Sequence, residues 1–210
     1  MADLAALTAA IEAGDRATAV RVTREAVEEG LDPRTVLGAM TIAMEVVGAR
    51  FQCQEIYVPE MLISARAMKE ATAVLEPVLV KAGIRPEHTA VLGTIKGDLH
   101  DIGKNLVGMM WKGANIEVID LGTNVAPEAF VAAAKEHGAH IVGISALLTT
   151  TMVGMKDVVA AIRAANLDDV KVIVGGAPVT QDFADLIGAD GYASDAASAV
   201  EAAKNAIRGG

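Results

Sequence analysis

Cysteine is nearly absent from this chain, and its scarcity excludes several kinds of site. Cys53 is the single cysteine among 210 residues. No internal disulfide can form, and no second thiolate is present to build a zinc or iron–sulfur centre. Because a lone cysteine usually behaves as a small hydrophobic residue, we expect Cys53 to be buried and to take no part in function.

Aromatic residues are also scarce, at 3% of a chain that is 52% hydrophobic. The interior must therefore be built from Ala, Val, Ile, Leu and Met, which suits helices and closely packed parallel strands. The length allows one large or two modest domains, each with its own core.

Positive charge is limited too: 18 Lys and Arg face 27 Asp and Glu, for a formal net charge of −9. No basic cluster is visible, so we expect no nucleic-acid partner. The first residues lack the basic start and apolar core of a signal peptide, and no run of about 18 apolar residues is present. We therefore expect a cytoplasmic protein with no membrane partner.

The first part of the chain predicts four helices. Asp3 and Asp15 are placed as N-caps, and Asp32-Pro33 as an N-cap followed by the first helical residue. Another helix is expected from about 59 to 76. The residues predicted to face inward on the last two helices are Val36, Leu37, Met40, Met44, Val47, Met61, Leu62, Ala65, Met68 and Leu75. Short polar turns between the helices favour a four-helix bundle.

From residue 89 onward, β-branched runs alternate with helical stretches. Strands are predicted at 89–95, 116–121, 141–145, 170–174 and 191–193, and helices near 102–112, 127–137, 152–165, 181–187 and 196–207. This alternation predicts a parallel sheet covered on both faces, in a flavodoxin-like (Rossmann-like), doubly wound order of five strands. The predicted organisation is a helical domain at 1–84, a linker at 85–88 and a doubly wound domain at 89–210.

The loop after the first predicted strand, Gly97–Gly103, holds His100 between two carboxylates. Ligands of doubly wound sheets bind at loops of this kind, so His100 is a candidate ligand. Capping is an open alternative, since Asp98 or Asp101 can also satisfy free helix N–H groups. A phosphate-binding loop fits poorly, because five residues instead of four separate its glycines and Asn105 replaces the Ser or Thr.

Two more groups follow the third and fourth predicted strands: Ser145-x-Leu147 and Gly175-Gly176. With Asp98-x-His100-x-x-Gly103, and with 41 and 27 residues between the three groups, they resemble the cobalamin-binding signature. That signature is shared by methionine synthase, the adenosylcobalamin mutases and the corrinoid proteins of methyltransferase systems. A helical domain ahead of such a module is similar to the free-standing corrinoid proteins.

The resemblance implies a cobalamin cofactor, with methylcobalamin as an intermediate. It implies that His100 replaces the dimethylbenzimidazole tail as the lower axial ligand of cobalt. Asp98 would accept a hydrogen bond from the other ring nitrogen, and the hydroxyl of Thr151 would lie behind Asp98. A carboxylate in that position fixes the tautomer and orientation of a ligand imidazole.

The same resemblance implies further contacts with the cofactor. Ser145 and Thr149 would touch the buried base and the paired glycines would line the nucleotide tail; the implied set is Gly103, Ser145, Leu147, Thr149, Gly175 and Gly176. The segment around Tyr57 resembles the cap segment of methionine synthase. Tyr57, Met61 and Ala65 are therefore predicted to wall the upper face of the corrin, with ordinary bundle core as the alternative.

The function implied is that of a methyl carrier, one component of a multi-protein methyltransferase system rather than a complete enzyme. Its partners would be a methyltransferase for methanol, a methylamine or an aromatic methyl ether, a second one serving tetrahydrofolate or a thiol, and a reductive activase. Three alternatives stay open: a cobalamin-dependent sensor or regulator, the small subunit of a mutase, and a flavodoxin-like module without cobalt.

Overall fold

The computed structural model describes residues 2–208 and divides the chain into two compact units. The helical unit takes in the residues up to Pro86 together with Gly113–Asn115, and the sheet unit takes in Glu87–Lys112 and the chain from Ile116 onward. Within the described residues, no helix is long and apolar enough to cross a membrane. The domain and linker boundaries given above stay predictions.

The helical unit contains four helices: α1 Leu4–Glu12, α2 Arg16–Glu28, α3 Pro33–Gln52 and α4 Val58–Lys81. The carboxylates of Asp3, Asp15 and Asp32 each accept a backbone N–H of the first helical turn, which confirms the three predicted N-caps. At α4 the carboxylate of Glu60 accepts the N–H of Tyr57 instead. Local capping chemistry therefore sets where each helix begins.

The predicted inward faces of α3 and α4 are buried, with one exception: Leu62 is 38% exposed. It follows Met61 by one residue and so projects about 100° around the helix, away from the stripe that Met61, Ala65 and Met68 form. The helix α4 also continues beyond the predicted end, through Pro77 to Lys81. Leu75 and Leu79 are buried on either side of that proline, and their burial offsets its lost backbone hydrogen bond.

Cys53 was expected to be buried and is exposed. It is the C-cap residue of α3, and the end of a helix at the surface leaves its side chain in solvent. Its hydrophobic character did not decide its location.

The sheet unit is a five-stranded parallel sheet in the order β2-β1-β3-β4-β5, as the flavodoxin-like prediction requires. The strands are β1 His88–Thr94, β2 Ile116–Asp120, β3 Ile141–Ser145, β4 Lys171–Gly175 and β5 Gly191–Ala193. The helices are α5 Ile102–Gly113, α6 Pro127–Glu136, α7 Thr149–Met152, α8 Met155–Ala164, α9 Gln181–Ile187 and α10 Ser198–Arg208.

Helices cover both faces of this sheet, so its strands are buried on both sides. One face packs β-branched strand residues against Phe130 of α6 and Met155 of α8. On the other face the indole of Trp111 lies over Gly143, where a Cβ would come within 2.6 Å of the ring. The indole N–H of Trp111 donates to the carbonyl of Ala199 at 2.9 Å, which ties α5 to α10.

The helix predicted at 152–165 is two helices, α7 and α8, separated at Val153-Gly154. Glycine is a poor helix former, and it stands at the break. The helix α7 begins at Thr149, directly after its N-cap residue Leu148. The three-residue shift of the helix start places Thr151 inside a helical turn and not ahead of one.

Candidate functional site

The three sequence groups meet at the carboxyl edge of the sheet. The strand register aligns Thr94 with Ser145, and Ser145 with Gly175. The last residues of β1, β3 and β4 therefore lie side by side, and the loops that follow them leave the sheet at neighbouring points. This edge is where doubly wound sheets bind their ligands.

Asp98 is the buried centre of this edge, with its side chain 0% exposed. One carboxylate oxygen accepts from the backbone N–H of His100 at 3.1 Å and pairs with Nδ1 of the same ring at 2.7 Å. The other accepts from the hydroxyl of Thr151 at 2.7 Å and from the backbone N–H groups of Leu147 and Leu148 at 2.8 and 3.3 Å. One carboxylate thus joins the loop after β1 to the loop after β3.

These hydrogen bonds keep Asp98 ionised. Burial alone raises the pKa of the carboxyl group, but the N–H of Leu147, the hydroxyl of Thr151 and the donors of His100 together outweigh burial and lower the pKa well below its ordinary value of 3.8. None of the donors belongs to the first turn of α5, so the helix-cap alternative for Asp98 is not what the structure contains.

The ionised carboxylate also determines the state of the His100 ring. A carboxylate only accepts hydrogen bonds, so Nδ1 of His100 must carry the proton in their 2.7 Å contact. In the neutral ring, Nε2 then keeps a free lone pair. The His100 side chain is 52% exposed, and Nε2 is therefore an oriented and accessible nitrogen donor.

Large apolar side chains are exposed in the segments that follow β1 and β3: Leu99, Ile102, Leu147, Leu148 and Val153. Scattered exposed apolar residues are normal, whereas a concentration beside a polar group marks a binding surface. The edge thus combines one nitrogen donor with an apolar surround.

Gly175 and Gly176 allow close approaches between neighbouring chain segments at this edge, Gly175 to β5 and Gly176 to the loop after β3. A Cβ on Gly175 would lie 2.7 Å from the carbonyl oxygen of Ala193, and a Cβ on Gly176 would overlap the carbonyl oxygen of Ala146. Gly176 also has φ +126°, a conformation that residues with side chains rarely adopt. Both glycines are needed for this backbone arrangement itself.

We expect Gly176→Ala to lower the free energy of unfolding of the sheet unit by about 2 kcal/mol, because strain and overlap add at this position. Denaturant titration followed by the fluorescence of Trp111, the only tryptophan, measures this change. The control is Gly188→Ala, where φ is +75° but a Cβ meets nothing within 4 Å. A loss no larger than that of the control would show that the approach to Ala146 is unimportant.

Ser145, Thr149 and Gly103 are the other predicted residues of this edge, and they make fewer side-chain hydrogen bonds than Asp98 does. Ser145 ends β3 and Thr149 begins α7, and within residues 2–208 neither hydroxyl has a hydrogen-bond partner. A Cβ on Gly103 would meet nothing within 4 Å, so this glycine leaves open space beside the first turn of α5. Their contacts with a cofactor stay predictions.

Tyr57, Met61 and Ala65 belong to the helical unit. Tyr57 is 66% exposed, whereas Met61 and Ala65 are buried in the bundle. Met61 thus fills the core of its own unit, and Tyr57 is the member of the set that is open to an outside contact. That any of them contacts a cofactor stays a prediction.

Sequence reasoning missed two residues that hold the His100 loop, defined here as residues 95–101. The hydroxyl of Thr94 donates to the carbonyl of His100 at 3.0 Å. The side chain of Asn124 accepts the N–H of Gly97 at 2.8 Å, and its backbone N–H donates to the carbonyl of Asp98 at 3.0 Å. The sequence Gly122-Thr123-Asn124 predicts a turn, but it does not show that this turn contacts the His100 loop.

No group of three or more His, Cys, Asp or Glu side chains that could hold a metal ion lies in the part of the chain that the structure describes. His100 offers one nitrogen. A single ligand suits a metal whose other positions are filled by a cofactor.

Fold and edge together define a class of protein, a doubly wound cofactor-binding module with an attached helical unit. Comparison with known proteins specifies the class. A family model described as a B12 binding domain matches residues 88–201, and a second model of the same description matches residues 4–76. The two models cover both units.

Relatives match over nearly the whole chain. A corrinoid protein of Desulfitobacterium hafniense strain Y51 is 45% identical, with 96% of this chain and 95% of that protein covered. Trimethylamine corrinoid protein 2 of Methanosarcina mazei is 40% identical, with 93% and 92% covered. A chain in the crystal structure of a methanol:cobalamin methyltransferase complex from Methanosarcina barkeri superposes with a TM-score of 0.84 at 30% identity, covering 99% of this chain and 80% of that one.

The chain belongs to the B12-binding family of corrinoid proteins. Cobalamin is the cofactor of this family, and the predicted fold class is confirmed by the sheet order and by the structural match.

Proposed function

We propose that this chain is a methyl carrier that holds cobalamin through Nε2 of His100 as the lower axial ligand, with the cofactor's own base displaced. The observation that carries the proposal is the 2.7 Å contact between Asp98 and Nδ1 of a half-exposed ring, which assigns the free lone pair of the neutral imidazole to Nε2. An imidazole held in this way, with a carboxylate on its other nitrogen, is a typical metal ligand.

The donor set of the edge fits the chemistry of a corrinoid. Cobalt within a corrin ring already has four equatorial nitrogens, so a single imidazole is what the protein must add. The exposed apolar side chains of the segments after β1 and β3, Leu99, Ile102 and Leu147 among them, suit the apolar face of a macrocycle. Hydrophobic contact with a ring is non-directional, so these side chains need no hydrogen-bond geometry to bind it.

We assign the nucleotide tail to the ends of β3 and β4. The carbonyl oxygens of Ala193 and Ala146 fill the space beside Gly175 and Gly176, so these glycines bring the neighbouring chain segments together at this edge. The hydroxyls of Ser145 and Thr149 are available as hydrogen-bond groups near the same strand ends.

When bound, cobalamin supplies a cobalt centre that accepts a methyl group from a donor and releases it to a nucleophile. The residues of the chain hold and tune that centre. Asp98 keeps the proton on Nδ1 of His100, and Thr151 with the N–H groups of Leu147 and Leu148 keeps Asp98 ionised and in place. The network makes the imidazole a better donor and couples ligation to the location of one proton.

The partners that we propose are methyltransferases. One would take the methyl group from methanol, a methylamine or an aromatic methyl ether, and another would pass it to tetrahydrofolate or a thiol. The relatives named for trimethylamine and methanol systems support this partner class. The choice of donor would lie with the first partner.

The test loads the purified chain with cobalamin and incubates it with each candidate substrate methyltransferase and a substrate labelled in its methyl group. We expect the label to co-elute with the chain in one pairing, and to move to a thiol or tetrahydrofolate when an acceptor methyltransferase is added. The chain without cobalamin is the control and should retain no label. Absence of label in every pairing, together with a light-dependent change in oligomeric state, would instead indicate a sensor.

A further inference from the structure

The His100 loop is held by contacts that do not involve the Asp98 carboxylate. The loop begins after Thr94 and contains Gly97, whose φ is +87°. Asp98 fixes the ring of His100, but a fixed ring also requires a fixed backbone, because side-chain torsions start from the main chain. The backbone contacts of the loop are therefore part of the geometry of the ligand.

Two residues, Thr94 and Asn124, make these backbone contacts. Thr94 is buried at the end of β1, and its hydroxyl donates to the carbonyl of His100 itself. Asn124 approaches from the loop after β2 and makes two bonds, accepting from the N–H of Gly97 and donating its own N–H to the carbonyl of Asp98. Asn124 has φ +57°, and asparagine tolerates this left-handed conformation better than most residues.

The loop that carries Asn124, residues 121–126, is itself anchored. Lys104 of α5 is 2% exposed, and its ammonium group lies 2.6 Å from both carboxylate oxygens of Asp120, the last residue of β2. Asp120 also accepts the N–H of Gly122 at 2.8 Å. Because a buried ammonium group needs its partner, this ion pair fixes the start of the Asn124 loop against the helix that follows His100.

We infer that Asn124, assisted by Thr94, is a positioning residue for the axial imidazole: it sets the backbone of the His100 loop so that Nε2 faces the cofactor. The inference rests on the proposed function of His100, but its first consequence concerns the protein without cofactor. The loop should lose order when the Asn124 side chain is removed, whether or not cobalamin is present.

The variant that isolates this contact is Asn124→Gly, which keeps the left-handed backbone and the N–H donor but removes the acceptor for Gly97. Asn166→Gly is the matched control, since Asn166 has φ +55° and follows α8, away from the His100 loop in sequence and hydrogen bonding. Asn124→Asp retains an acceptor oxygen for the Gly97 N–H, so this variant should keep most of the order of the His100 loop. Thr94→Val removes the other bond, and Thr23→Val, a buried helical threonine bonded to the carbonyl of Ala19, is its control.

In the cofactor-free protein, we expect Asn124→Gly to lower the amide order parameters of residues 97–100 and to speed hydrogen exchange of the Gly97 amide by about three- to tenfold, as loss of one hydrogen bond implies. With cobalamin bound, the fraction with a histidine nitrogen on cobalt, read from the electron spin resonance of the cobalt(II) form, should fall. Asn166→Gly should change neither quantity.

The outcomes separate the two proposals. Unchanged order in residues 97–100 in both Asn124→Gly and Thr94→Val would overturn the inference, as would lost order with an undiminished histidine-bound fraction. If the unsubstituted protein shows no histidine coordination at all, the proposed function fails, while the order parameters still report whether Asn124 holds the loop. If Asn124→Gly does not fold, the comparison of Thr94→Val with Thr23→Val tests whether side-chain contacts hold the His100 loop.

Discussion

Replacing His100 by alanine is expected to weaken cobalamin binding by about 100-fold and to remove the axial nitrogen signature. Loss of groups that only orient a metal ligand already costs about 10- to 100-fold in affinity, so loss of the ligand itself should lie at or above the top of that range. The fold should be retained, because the side chain is half exposed and packs in no core. Equilibrium dialysis and the absorption spectrum of the bound cofactor measure the two effects.

The matched control is His137→Ala. His137 is the exposed C-cap residue of α6, and its substitution should leave affinity and spectrum unchanged. If His100→Ala bound cobalamin as tightly as the control and with the same axial ligand, His100 would not be the ligand that we propose.

Replacing Asp98 by asparagine is expected to damage both stability and ligation, since an amide cannot accept from all five donors. If its NH₂ group faces Leu147 and Thr151, those donors lose their acceptor. If it faces His100, the Nδ1 atom must become an acceptor and the proton moves to Nε2, where it blocks coordination. We expect a loss of about 3 kcal/mol in unfolding free energy and of about 10- to 100-fold in cobalamin affinity.

This substitution should also change the pH dependence of stability. The pKa of Asp98 is lower in the folded protein than its ordinary value of 3.8. Its stabilising contribution is therefore complete above that value and is lost as the pH falls toward the lower folded pKa. Unfolding of the unsubstituted sheet unit should become easier below about pH 4, and Asp98→Asn should show less of this acid sensitivity.

Asp101→Asn is the control, because it makes the same chemical change in the same loop. Asp101 is exposed and its carboxylate accepts from the Asn105 side chain, so little change is expected. Equal effects of the two substitutions on stability and affinity would contradict a special role for the buried carboxylate.

The sequence predicted the architecture well because its signals are local or periodic. The N-caps at Asp3, Asp15 and Asp32 are chemical features of single turns, and alternation of β-branched runs with helical stretches fixes a doubly wound sheet. The observed strand order is one of the two common orders for doubly wound sheets. Errors fell at element ends, as at Pro77 and Gly154, where burial and long-range hydrogen bonds outweigh local propensity.

The candidate site was predictable where residue types carry the chemistry. Asp98 and His100 are two residues apart, and the hydrogen bond that the resemblance implied between them is present at 2.7 Å. The hydroxyl of Thr151 is found behind Asp98, as the resemblance implied.

The supporting contacts were less accessible to sequence reasoning. Asp98 accepts from backbone N–H groups at 147 and 148, and any residue type supplies such groups. The bonds of Asn124 depend on the adjacency of β1 and β2. Contacts that are made by main chain, or across strands distant in sequence, need the folded coordinates.

The central claim is that the imidazole of this chain, and not the base of the cofactor, is bonded to cobalt. The direct measurement is electron spin resonance of the cobalt(II) form bound to protein in which the histidines alone carry ¹⁵N. A ¹⁴N nucleus splits each cobalt line into a triplet, whereas ¹⁵N splits it into a doublet. Ligation by His100 predicts doublets in the labelled protein. Triplets that persist despite labelling would show that the axial nitrogen comes from the cofactor and not from His100.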